Sequence, residues 1–114
     1  MLTLSFVINI LIVAPLTWLM LRGAVAMDAS FGPDTDARRI LACLYGTIGV
    51  ASGVGLWLLA SGQANLAEAL AWTLLPMQIV YKLGTWPAVG FQSPVVRTNL
   101  GVVVLHSATL VTLL

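Results

Sequence analysis

Four long apolar stretches alternate along the chain with short polar ones, and the first can be read without help from any motif. Leu2 to Leu21 is twenty residues without a charge, and at ~1.5 Å of rise per residue it covers the ~30 Å hydrocarbon core of a bilayer. A polar interval follows through Asp28, Ser30, Gly32, Pro33, Asp34 and Asp36. Asp34 or Thr35 then supplies a side-chain cap for a second helix, which carries Asp36 in its positive first turn and is apolar from Ile40 to Ala60. Ser61 to Ala64 leaves room only for a tight hairpin. Asn65 with Glu68 three positions on forms an Asn-led capping box, so a third helix is expected to run to about Leu83. Ser93 before Pro94 is a second start signal, because Ser accepts from the orphan amides and Pro at the first helical position loses no bond.

The spans expected are therefore about 2–22, 37–60, 65–83 and 94–114, with residues 1–114 forming a single membrane domain. The fold class is an all-α integral membrane protein, a four-transmembrane-helix bundle. Ala24 and Ala26 make an A-x-A pattern after the first run, as a signal peptide would. No Lys or Arg precedes the run, however, and it exceeds the usual length of a signal-peptide core, so the segment is expected to be retained.

Composition agrees: 60% of residues are hydrophobic and 8% charged, against roughly 25% charged in soluble domains. The charges also carry topology. Arg22, Arg38 and Arg39 flank the first loop and Lys82 and Arg97 the third, so all five basic residues fall on one face of a four-span protein. Under the positive-inside rule loops 23–36 and 84–93 are cytoplasmic and both termini extracytoplasmic, in what reads as a bacterial inner membrane. Trp18, Tyr81, Trp86 and Phe91 lie near the same face, and with Arg22, Arg38, Arg39, Lys82 and Arg97 they form the expected interfacial set.

Helices in lipid associate through small residues and buried polar contacts. In the second helix Ala42, Gly46, Gly49, Gly53 and Ala60 keep one heptad phase, and the third begins with Ala64, Ala67 and Ala71 on a matching one. These eight positions predict a tight antiparallel hairpin of helices two and three. Asn9, Gln78, Asn99 and His106 are the polar side chains set mid-span and are expected to be buried. His106, the only histidine, is the candidate axial ligand to a haem or other pigment. The plainer reading, which is preferred, is a neutral imidazole hydrogen-bonded to Asn9, Gln78 or a backbone carbonyl. No cofactor is otherwise expected, and one His with one Cys, Cys43, cannot make a metal site.

Function narrows by elimination. No nucleophile with its base and no paired carboxylates are legible, so an enzyme is not expected. No basic run tracks phosphates, so no nucleic acid is expected as partner. In size and helix number the chain is similar to the small multidrug resistance family, whose members carry a membrane-embedded glutamate in the first helix; here the most polar residue of the first span is Asn9. Two readings survive. One is a small accessory or assembly subunit of a larger membrane protein complex, respiratory or photosynthetic, contacting lipid elsewhere. The other is a small homo-oligomeric carrier or channel for a small solute.

Overall fold

The computed structural model describes all of residues 1–114. The chain is helical throughout: α1 (Leu2–Leu21), a 3₁₀ turn (Val25–Met27), the short α2 (Asp28–Phe31), α3 (Asp36–Ala60), α4 (Ala64–Val89) and α5 (Pro94–Thr112). Three of these, α1, α3 and α5, are long and apolar enough to cross a membrane. The helices lie side by side in a body 42 × 28 × 17 Å. Its long axis fits a bilayer of ~40–45 Å with headgroups.

Most boundaries have local causes. Thr35 caps α3 by accepting from the Arg38 amide at 3.5 Å, and Gly62, at φ 76°, takes the left-handed conformation that reverses the chain into α4. Two expectations change here. α4 begins at Ala64 with Gln63 at its cap, so Asn65 lies inside the helix and the capping box does not form. At its other end α4 continues through Gly84, Trp86 and Pro87 to Val89, leaving only Gly90–Ser93 as a loop. Pro87 and Pro76 each cost one backbone bond without ending the helix, as proline within membrane helices commonly does.

The pairing of helices differs from the expected one. The closest neighbours are α1 with α3 and α4 with α5, while α3 and α4 meet less extensively despite the tight turn between them. The glycines explain this. A Cβ at Gly46 would stand 3.3 Å from Thr17, and one at Gly49 3.1 Å from Val13, so these glycines admit side chains of α1, not of α4. Gly55, outside the expected seam, lies against the Phe6 ring so closely that any side chain there would overlap it. Gly53 faces open space, and Ala60 and Ala64 are exposed. Ala42, Ala67 and Ala71 are buried. The buried line of α3 (Ala42, Tyr45, Ile48, Ser52, Gly55, Leu58) leaves the predicted seam after Ala42 and stands one to two residues before it along the rest of the helix. Between α3 and α4 an apolar cleft of about 530 Å³ remains, walled by Leu44, Ile48, Leu74, Met77 and Val80.

Candidate functional site

Two polar clusters occupy the interior, one toward each end of the bundle. The first is built on the i, i+4 pair Ser5 and Asn9 of α1, facing the i, i+3 pair His106 and Thr109 of α5. Asn9 Oδ1 lies 3.0 Å from His106 Nε2, and Ser5 Oγ 3.1 Å from Nδ1. Asn9 also donates through Nδ2 to Ser52 Oγ of α3 at 3.0 Å, and Thr109 Oγ1 is 2.7 Å from Ser5 Oγ. All five side chains are buried. With the imidazole proton on Nε2, the ring donates to Asn9 and accepts from Ser5, and neither ring nitrogen is spare. A haem or pigment ligated at His106 would have to break one of these bonds, so the geometry is that of a histidine with both ring nitrogens already engaged.

The second cluster lies at the basic end. Lys82 Nζ donates to Asn99 Oδ1 at 3.0 Å, and Asn99 Nδ2 donates to Thr85 Oγ1 at 3.2 Å. The Lys82 nitrogen also sits 5.0 Å from the centre of the Tyr81 ring. Lys82 is only 3% exposed, and both ion pairs of the molecule belong to other residues, Arg38 with Asp28 and Arg39 with Asp34. Arg38, likewise 2% exposed, donates to Asp28 at 2.7 Å and to the Gly32 carbonyl at 2.9 Å, fastening the first loop to α3.

Lys82 and Arg38 were expected among the headgroups and turn inward instead, while Trp18, Arg22, Arg39, Trp86, Phe91 and Arg97 of the same set are exposed. The reason is local: Lys82 finds the buried Asn99 amide oxygen on α5, and Arg38 finds the Asp28 carboxylate and the Gly32 carbonyl of the first loop folded over it. Tyr81 is partly buried, and its hydroxyl has no partner. Gln78, one turn deeper than Lys82, is buried with both amide atoms unpartnered. Tyr81 and Gln78 both border the cleft between α3 and α4.

Above Lys82 is a cavity of about 170 Å³. Ile12, Val13 and Leu16 of α1 form one wall, the first turns of α5 another, and Met27, Ser30 and Phe31 of the first loop its roof. It exists because α1 and α5 touch little. They are bonded through Ser5, Asn9, His106 and Thr109 at the far end and separate toward the basic end. Phe31 holds the roof down by meeting Tyr45 edge-on, with ring centres 6.0 Å apart.

Sequence reasoning singled out Asn9, Gln78, Asn99 and His106, and the structure brings Asn9 to His106 and Asn99 to Lys82. It did not join Ser52 or Thr85 to these groups. Hydroxyls are common on membrane helices, and nothing in their spacing names a partner on another helix. The fold and interior together define an all-helical protein of membrane character. Comparison with protein-family models, with curated proteins and with solved structures gives no match.

Proposed function

We propose that the protein is a small accessory or assembly subunit of a larger membrane complex, respiratory or photosynthetic, with α4 as a fourth crossing beside α1, α3 and α5. A fourth crossing is supported by the length of α4, 26 residues lying antiparallel between two apolar neighbours. It also accounts for the charges, since both loops flanked by Arg or Lys then share one side, the cytoplasmic side of a bacterial inner membrane. Both termini would be extracytoplasmic, and a reporter fused after Leu114 should behave so.

The observation that carries the reading is the outer face of α5. Thr98, Gly101, Leu105, Ala108 and Thr112 form a stripe that is small at every position but Leu105 and exposed at those four, and a Cβ at Gly101 would meet nothing within 4 Å. In lipid such a stripe permits close backbone approach by another helix. The chain's partners on this reading are a protein surface at α5 and lipid elsewhere, with no catalysis of its own. Gentle extraction from native membranes should co-purify the chain with a much larger assembly, and Gly101→Leu should release it. Recovery only as a free homodimer would sink the reading.

One observation favours a homo-oligomeric carrier instead. Lys82 with Asn99, then Gln78, then His106 with Asn9 place polar groups at successive depths of the interior. In reconstituted vesicles that reading requires solute flux that is lost on changing Asn9 or Gln78.

A further inference from the structure

Lys82 is the one buried cation of the interior without an opposite charge: its neighbours are the face of the Tyr81 ring and the Asn99 amide. Its ammonium has three donors, and the protein supplies one oxygen, Asn99 Oδ1. Arg38, the other buried cation, has both a carboxylate and a carbonyl. A charge removed from water without an opposite charge is strongly unfavourable, and such a group within a membrane protein commonly marks a site. The unused valence of Lys82 lies beside a cavity, not solid packing.

The other walls of that cavity select the occupant. The first turn of α5 contributes Pro94 and Val95, and Ser93 makes no side-chain bond to cap it, so the positive end of a 19-residue helix adds to the charge of Lys82. No carboxylate lines the space. Its remaining surface is mainly apolar, with Ile12, Leu16 and Met27. Cation and helix end call for an oxyanion, and the apolar walls call for hydrocarbon attached to it.

We infer that the cavity binds the acidic head of a single-chain amphiphile, a carboxylate or phosphate oxygen accepting from Lys82 Nζ with its tail leaving along α1 toward lipid. The position suits this, since the basic end is where the sequence puts its other cations and Trp18, Tyr81, Trp86 and Phe91. The site shares only Thr98 with the stripe of α5.

The full chain, purified in a nonionic detergent, is examined by native mass spectrometry with oleate, with oleoyl lysophosphatidate, with methyl oleate and with inorganic phosphate. Retention of one oleate or one lysophosphatidate per chain supports the site and tells a carboxylate head from a phosphate head. Methyl oleate has the same tail and no charge, and it should not be retained. Lys82→Met should weaken retention of the acidic amphiphile by about tenfold or more, the loss of one charge-assisted hydrogen bond in a dry site. Equal retention of oleate and methyl oleate by the native chain overturns the inference whether or not the variant folds. So does equal retention by a folded Lys82→Met chain, and so does retention of inorganic phosphate alone.

Discussion

The two polar clusters are built from similar material and end in opposite conditions. At the far end, Ser5, Asn9, Ser52, His106 and Thr109 satisfy one another across three helices. At the basic end, Lys82 and Asn99 join only α4 and α5 and border a cavity. A closed cluster specifies which helices meet and at what depth, because any other register strands polar atoms in hydrocarbon. An open one adds little to that specification and leaves chemistry available. The far end should therefore resist change, and the basic end should tolerate it.

The largest effect is expected where α1 is brought close enough for its polar groups to reach α3. Gly55→Leu would drive a side chain into the Phe6 ring, one residue from Ser5 and one turn from Asn9. Overpacking of this kind costs about 3 kcal/mol or prevents folding. Unfolding of the purified chain in mixed micelles should register it, and a variant as stable as the native chain would mean that α1 does not pack on α3 through Phe6. His106→Leu should come next, at about 2 kcal/mol, since it strands Asn9 Oδ1 and takes from Ser5 Oγ one of its two partners. The same measurement tests it. A preparation of the native chain with a visible absorption band that this variant abolishes would instead restore the pigment or haem reading.

These effects depend on features that the sequence exposes unequally. The three helices long and apolar enough to cross a membrane, α1, α3 and α5, are legible as apolar runs of bilayer length, and α1 requires no other signal. Who packs on whom is not. The glycines of α3 announce a close approach, but Gly46 and Gly49 hold the same phase whether α1 or α4 fills them, and only the resulting contacts with Thr17 and Val13 decide it. The capping box fails for a similar reason: Asn65 and Glu68 have the spacing, yet the turn at Gly62 starts the helix early enough to absorb Asn65. His106 is legible down to one of its partners, because so few side chains in the spans can answer an imidazole that Asn9 ranks among the first candidates. Lys82 is the reverse case. A lysine near the end of a span ordinarily stretches to water, and its burial depends on Asn99, seventeen positions away on another helix.

Ser52→Ala tests the reach of the closed cluster at its edge. It removes one acceptor from Asn9 and leaves both bonds of His106 in place. The expected loss is about 1 kcal/mol, read in the same unfolding experiment. A double-mutant cycle with His106→Leu should show coupling, because both act through Asn9. Strict additivity would mean that the five side chains are neighbours and not a network.

The smallest effect on stability should belong to the most conspicuous charge. Lys82→Met removes a buried ammonium of nearly matching length and puts apolar volume beside Ile12 and Leu16 in the cavity. Asn99 loses the donor to its Oδ1 but keeps its own bond to Thr85. Replacing a buried charge with a well-packed apolar side chain is often neutral or stabilising, so the change should stay within about 1 kcal/mol of zero against the orphaned Asn99 oxygen. Set beside His106→Leu, this variant separates two kinds of buried polar residue by one measurement. If Lys82→Met destabilises as much as His106→Leu, Lys82 is part of the scaffold and the contrast between the two ends collapses. If it leaves stability alone, the fold does not require a cation there, and its presence must be explained by something it binds.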